Sequence, residues 1–319
     1  MQTIRVRVAK RYTAAVGIEA YELEPEDPAV VLPSYEAGAH IDVHVNNQFI
    51  RQYSLCSRND QTNVYRIAVL RDEAGRGGSR AMHASVHEGD VITIGHPRNA
   101  FALLQDAAPA CLLAGGVGIT PILAMAHALH RTGRIFQLHY FARSADRAAF
   151  REELQECAFA QHVTFHFDDS SSGTEAPLDR LVQTVSRESV IYACGPGGFL
   201  KRIEELLEHR PAPKPRLRFE SFAAAGAKSG ERTFAVHFAK SQKWAQVSET
   251  ETIAEAAERA GVFISLSCEQ GICGTCITAV LDGKPDHRDS YMTEDEHARG
   301  DQMTPCCSRS LTDCLTLDC

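Results

Sequence analysis

Polar and apolar residues alternate along the first third of the chain. The runs IRVRVAKRY (4–12), HIDVHV (40–45), YRIAVL (65–70) and DVITIG (90–95) are alternating or β-branched, with Gly, Pro and Asn between them. A period of two predicts strands, and about six such runs predict a small antiparallel barrel. Gly77-Gly78-Ser79 interrupts the pattern before a predicted short helix over 80–86. From Ala110 the period changes. CLLAGG, FQLHYFA, VTFHF and SVIYACG read as strands, and ITPILAMAHALHRTG, AAFREELQECAF, LDRLVQTV and GGFLKRIEELLEHR as the helices between them. Strand and helix in alternation predict a doubly wound parallel sheet. Pro211, Pro213 and Pro215 end this pattern, and Ser221–Glu231 has the small, polar composition of a linker. TFAVHFA and WAQVSE then predict a hairpin, TIAEAAERAG predicts a helix stopped by Gly261, and a cysteine-rich loop follows. The expected domains are 1–105, 106–224 and 232–319, with a linker at 225–231.

Composition narrows the class. Of 319 residues, 44% are hydrophobic and 23% charged, which excludes collagenous and wholly disordered chains. The net charge of −8 argues against a general nucleic-acid surface. Residues 232–319 carry 8 Lys+Arg against 14 Asp+Glu, an acidic block that suggests a module with its own partner. Ala110–Leu129 is apolar enough to raise a membrane helix, but its glycines and Pro121 fit a buried strand, turn and helix better. Eleven cysteines, an odd number, behind an N-terminus with no apolar leader argue against a disulfide framework. The expected compartment is the cytoplasm, where reduced thiols point to metal or redox use.

The sharpest motif is SCEQGICGTC. Cys268, Cys273 and Cys276 have the spacing C-x4-C-x2-C, and Cys306 follows 30 positions after Cys276. This is the plant-type pattern for a 2Fe–2S cluster. Thiolates are soft, charged donors suited to iron, and Gly271 and Gly274 would let the loop turn backbone N–H groups toward the sulfurs. A zinc site fits less well, because zinc favours paired C-x2-C units and only one is present. Cys307 doubles the cysteine at the fourth-ligand position.

Two further constellations suggest nucleotide chemistry. Arg51-Gln52-Tyr53-Ser54-Leu55 gains meaning from Gly77, Gly78 and Ser79: a helix N-terminus offers N–H groups to a phosphate, and Arg51 offers a counter-charge. Tyr53 could lie along a flavin ring and Ser54 could hydrogen-bond a ring nitrogen. Gly115, Gly116 and Gly118 follow one predicted parallel strand, and Cys194, Gly195 and Pro196 follow another. Neither loop is G-x-G-x-x-G, yet two small-residue loops at strand ends would line one crevice. For each, tight turn-making alone is the competing reading.

Taken in order, RQYSLCS, GRGGS, AGGVGITP, YACGP, FESF and SCEQGICGTC resemble the reductase components of two-component Rieske-type aromatic-ring oxygenases, the phthalate dioxygenase and vanillate demethylase type. The resemblance covers essentially the whole chain. It implies a flavin-binding barrel, an NAD-binding domain of the ferredoxin-reductase type and a C-terminal β-grasp plant-type ferredoxin domain. It implies FMN rather than FAD, held by Arg51, Gln52, Tyr53, Ser54, Ala68, Leu70, Gly77, Gly78 and Ser79, with Thr120 and Phe222 near the ring. Cys194 matches the cysteine beside the nicotinamide, and Cys306 the fourth cluster ligand. NADH is expected over NADPH: Arg143 and Ser144 could favour a 2′-phosphate, Asp168 and Asp169 would repel it, and the resemblance decides for NADH. The implied activity moves hydride from NADH to FMN, then single electrons through the cluster to the oxygenase. Glu294, Asp295 and Glu296 could steer a basic partner surface, with plain solvation as the alternative. The rival functions are the same electron chain serving another acceptor, such as a cytochrome or non-haem monooxygenase, and a non-enzymatic electron carrier or redox sensor that would lack the flavin.

Overall fold

The computed structural model describes residues 3–46, 49–57, 63–73, 75, 77–168, 177–222, 231–266, 269, 271, 274–289 and 291–319. The chain forms two compact units, Met1–Phe222 and Ala223–Cys319.

The first unit opens with β1 (Thr3–Ala15), β2 (Ile18–Pro25), β3 (His40–Val45), β4 (Phe49–Ser54), β5 (Tyr65–Leu70), α1 (Gly78–Ser85) and β6 (Val91–Gly95). The six strands make an antiparallel sheet in the order β4-β3-β6-β1-β2-β5. Its two edges are tied where the Cys56 N–H, just beyond β4, donates to the Arg66 carbonyl on β5 at 2.8 Å. The inward positions of these strands, among them Val6, Val8, Tyr21, Leu23, Ile41, Val43 and Ile67, are buried together as the alternation requires. α1 begins two residues earlier than its sequence suggests, because Gly77 takes a left-handed conformation (φ 88°) and acts as the N-cap.

β7 (Ala110–Gly115), α2 (Ile119–Arg131), β8 (Phe136–Ala142), α3 (Arg151–Glu156), β9 (Val163–Phe167), α4 (Pro177–Thr184), β10 (Val190–Gly195), α5 (Gly197–Glu208) and β11 (Arg216–Ser221) follow. The five strands are parallel in the order β11-β10-β7-β8-β9. β7 and β10 are buried at every position, as strands covered on both faces must be. Leu112, Ala114 and Tyr192 face α2, and Cys111, Leu113 and Ile191 face the α4–α5 side. The predicted helix over 148–159 is cut to six residues, since Phe150 is left-handed (φ 59°) and lies under the Arg66 guanidinium at 4.6 Å.

Barrel and parallel sheet share one core. Ile18, Ala20, Cys56, Ala68 and Phe101 pack in the same cluster as Leu112, Ile119, Ile122 and Tyr192. Arg66 on β5 grips Glu153 on α3 with two hydrogen bonds of 2.8 and 3.0 Å. Arg66 and His127 together hold the Glu153 carboxylate down at about 2.

The second unit contains β12 (Phe234–Phe238), β13 (Lys243–Val247), α6 (Ile253–Arg259), β14 (Thr278–Asp282), β15 (Pro285–Asp286), α7 (Glu294–Arg299), β16 (Gln302–Met303), β17 (Arg309–Ser310) and β18 (Cys314–Leu317). Its main sheet runs β13-β12-β18-β14-β16, with β12 and β18 parallel and α6 against one face, the β-grasp arrangement. The linker reading changes at both ends. Ser221 closes β11, and Glu231 is ion-paired with Arg288 (2.6 Å) and Arg309 (2.7 Å) inside the second unit. Among the described residues no helix is long and apolar enough to cross a membrane.

Candidate functional site

In the parallel sheet the chain runs outward from β7 through β8 to β9, then crosses back to β10. The gap between the ends of β7 and β10 is therefore the topological switch point, where ligands bind in open α/β sheets. Gly115 ends β7 and Gly116–Gly118 follow it, while Cys194 and Gly195 end β10 and Pro196 follows. The structure distinguishes their glycines. A Cβ on Gly118 would run into the Cys194 carbonyl oxygen, and one on Gly195 would lie 2.8 Å from the Phe199 ring and 3.0 Å from the Gly115 Cα. These two, with Gly115, let the loops approach one another. Gly116 (φ 56°) has open space where a Cβ would be, and is the residue over which a nucleotide could lie. Thr120 is buried, its hydroxyl donating to the Val117 carbonyl at 3.0 Å.

Beside this crevice three groups converge. Ser54 ends β4, Cys194 is on β10, and Glu220 on β11 stands opposite Cys194 in the ladder. Burial pushes the Glu220 carboxyl up to about 8, and the Ser54 hydroxyl counters that rise in part. Glu220 Oε2 is buried without a hydrogen-bond partner. Burial first, and the Glu220 carboxylate second, raise the Cys194 thiol well above its usual range. Cys194 is thus a neutral, fully buried thiol rather than a thiolate. Ser54 and Cys194 were expected from sequence. Glu220 was not assigned, although it is the acid of FESF on the last parallel strand. Phe222, also of FESF, is half-buried against the shared core.

The predicted phosphate site is built around α1. Gly77 supplies no capping side chain, so the first N–H groups of α1 are uncapped by it. A Cβ on Gly78 would lie 2.6 Å from Arg51 Cγ and Nε, which places the Arg51 stem against the first turn. The guanidinium stacks on Phe49 at 5.3 Å and Nη1 donates to the Ile50 carbonyl at 2.9 Å. The Ser79 hydroxyl accepts from the Asp72 N–H at 3.1 Å. Tyr53 has a buried hydroxyl with no hydrogen-bond partner, an orphaned polar atom that a bound group would satisfy. These features fit a flavin phosphate and ring. Three expected contacts are otherwise engaged. The Gln52 amide donates to Asp42 Oδ1 at 3.2 Å, Leu55 is wholly inside the barrel core, and Ala68 is buried beside Ile18 and Ala20. Leu70 is 41% exposed.

In the second unit, Cys276 Sγ and Cys306 Sγ lie 3.3 Å apart, both buried. Two thiolates on one tetrahedral metal with bonds near 2.3 Å sit about 3.8 Å apart, so the pair is spaced to share an ion. Cys268 and Cys273 lie outside the described residues. Gly271 (φ 76°) and Gly274 (φ 70°) have the left-handed backbone the loop needs, and a Cβ on Gly274 would strike the Tyr291 ring at 2.5 Å. The Cys306–Arg309 segment is anchored by buried Arg309, which donates to the carbonyls of Glu251 (2.6 Å), Ser248 (2.9 Å) and Arg232 (3.0 Å). Cys307 is buried too, but its sulfur meets the Thr304 hydroxyl at 3.2 Å instead of a purely apolar wall.

Comparison with known proteins agrees with this division. Residues 112–205 match the oxidoreductase NAD-binding domain, and residues 237–311 the 2Fe-2S iron-sulfur cluster binding domain. The chain is 44% identical to vanillate O-demethylase oxidoreductase of Pseudomonas sp. (strain HR199 / DSM 7063), over 90% of this chain and 91% of that one. It is 35% identical to phthalate dioxygenase reductase of Burkholderia cepacia, over 99% and 97%. The chain belongs to this family of oxygenase reductases. A solved phthalate dioxygenase reductase, described as a modular structure for electron transfer from pyridine nucleotides to [2Fe–2S], superposes with a TM-score of 0.75, covering 99% of this chain and 98% of that one at 35% identity. An intact type IV self-sufficient cytochrome P450 monooxygenase matches 99% of this chain over 41% of its own length, with a TM-score of 0.76 and 33% identity. The reductase is an NADH-dependent flavin and iron–sulfur oxidoreductase.

Proposed function

We propose that this reductase takes hydride from NADH at the switch-point crevice and delivers electrons, through its 2Fe–2S cluster, to a Rieske-type oxygenase that acts on an aromatic compound in the cytoplasm. The observation that carries the reading is the convergence of Ser54, Cys194 and Glu220 beside the β7–β10 crevice, within the unit that also holds the Arg51–α1 phosphate site. The flavin is FMN. The α1 N-terminus and Arg51 supply one phosphate site, and no segment reads as an adenine platform. When bound, the flavin supplies the conversion of a two-electron donor into single electrons.

The protein's own residues bind and orient. Arg51, Gly77, Gly78 and Ser79 hold the phosphate end, and Tyr53 and Ser54 the ring. The Gly116 turn and Cys194–Pro196 receive the nicotinamide half of NADH. The neutral Cys194 thiol offers a small apolar surface there. Glu220, its carboxyl pushed up by burial, would hold its proton at neutral pH and put no fixed negative charge beside the crevice. Cys268, Cys273, Cys276 and Cys306 hold the cluster. The acidic first turn of α7 has a local role as well: Glu296 closes a capping box with Thr293. That leaves Glu294 and Asp295 to face a partner.

The relatives name different acceptors, among them vanillate O-demethylase and 3-chlorobenzoate-3,4-dioxygenase. The test is reconstitution. Purified reductase with NADH should support turnover by an aromatic-ring Rieske oxygenase and release FMN on denaturation. Recovery of FAD, or electron delivery to a P450 but to no Rieske oxygenase, would overturn the proposal.

A further inference from the structure

We propose that His287, Asp289 and His297 form a site for one divalent transition-metal ion, of the class that zinc represents, separate from the cysteine-ligated cluster. One ligand atom from each residue lies within 4.8 Å of the other two. Asp289 is the centre. Its side chain is fully buried, and Oδ1 faces His297 Nε2 at 3.2 Å and His287 Nδ1 at 3.9 Å. The two imidazoles stack with centroids 4.4 Å apart and planes 16° from parallel. Both ring nitrogens of His287 are buried without a hydrogen-bond partner.

The neighbouring cation is engaged elsewhere. The Arg288 guanidinium is held by Asp286 at 2.5 Å and Glu231 at 2.6 Å. A buried carboxylate facing two imidazoles, with no lysine or arginine paired to it among the described residues, is a donor set that a cation would complete. The carboxylate is also oriented as metal-binding carboxylates are, by hydrogen bonds from outside the ligand set. Met292 N–H donates to Oδ2 at 2.8 Å and the Thr304 hydroxyl donates to Oδ1 at 3.2 Å. Two imidazoles and one carboxylate select zinc, nickel, copper or iron over magnesium and calcium. Metal bonds of about 2.0–2.2 Å require the donor atoms to close to roughly 3–3.5 Å. Because an imidazole donates in its ring plane, the near-parallel stack requires one ring to turn before both face one ion, and the His297 ring, on the six-residue α7 and 28% exposed, is the more exposed of the two.

The site sits behind the cluster loop. A Cβ on Gly271 would lie 2.9 Å from Asp289 Cα, and the same Thr304 hydroxyl that reaches Asp289 touches Cys307 Sγ at 3.2 Å.

The test uses the full-length protein with flavin and cluster in place, so that the cluster cysteines are occupied by iron. After chelator treatment and desalting, Zn²⁺ is titrated against a competing chromophoric chelator. Wild type should bind one Zn²⁺ per chain with submicromolar affinity. His297→Ala and His287→Ala should each weaken that binding at least ten-fold, while His237→Ala, a histidine stacked on Trp244 outside the site, should leave it unchanged. Flavin and cluster absorption bands, read in the same samples, show that the variants are folded. Wild type that binds no Zn²⁺ at micromolar levels would overturn the proposal. Binding equally tight in all three variants would place the ion on a thiol elsewhere and overturn it as well.

Discussion

Replacing Glu220 with Gln tests the electrostatics of the crevice without changing its shape. Burial pushes the carboxyl from its ordinary 4.5 up to about 8. An acid whose folded value is raised holds its proton better in the native state. Its contribution is therefore neutral below the unfolded value and becomes destabilising as pH rises from 4.5 toward 8, then levels off. Worked through, the folded state loses roughly 3 kcal/mol between pH 5 and 7.5 from this group alone. Gln keeps the size and cannot ionise. Half-buried histidines such as His139, held down at about 4 by burial and by His166, add their own pH dependence, so the informative quantity is the difference between variant and wild type. In paired thermal melts, Glu220→Gln should nearly match wild type at pH 5 and exceed it by several degrees at pH 8, given about 2–4 °C per kcal/mol for a unit of this size. The pH dependence of flavin reduction by NADH should lose an inflection near 8 in the variant. A stability difference that is constant with pH, or largest at pH 5, would refute the reasoning.

Other outcomes follow from geometry. Arg51→Ala should weaken FMN binding by ten- to a hundred-fold, the cost of about 1.5–3 kcal/mol for a charge-assisted phosphate contact, read by flavin fluorescence during titration of the apoprotein. Gly118→Ala forces the β7 and β10 loops apart by about 1 Å, a displacement that can cost roughly a hundred-fold in rate. Stopped-flow reduction by NADH should slow accordingly while flavin content holds. Cys306→Ser should keep flavin and lose or destabilise the cluster, whereas Cys307→Val should leave the cluster absorption nearly intact. The reverse pattern would make Cys307 the ligand.

Much of the fold was legible because its strands obey simple periods. HIDVHV, YRIAVL, FQLHYFA and VTFHF are strands at the expected residues, since each is bounded by turn residues and rich in β-branched or aromatic side chains. β2 and β11 were not singled out. IEAYELEP has acidic residues on its outer face that weaken its apolar signal, and RLRFES follows three prolines. The short strands β14 to β18 are set by long-range pairing that no local pattern records. Cysteine spacing made the cluster legible, as ligand count and reach constrain it tightly. Glu220 was hidden for the opposite reason. Its character comes from burial beside Cys194 and Ser54, which are 26 and 166 positions away in the chain.

The central claim is one electron path from NADH through flavin to cluster within this chain. Anaerobic titration of the full-length protein with NADH, followed by visible absorption and low-temperature EPR, tests it most directly. The account predicts bleaching of the flavin bands together with a rhombic signal of a reduced 2Fe–2S cluster, and loss of that signal alone in Cys306→Ser. Complete flavin reduction in wild type with the cluster still oxidised after excess NADH would contradict it.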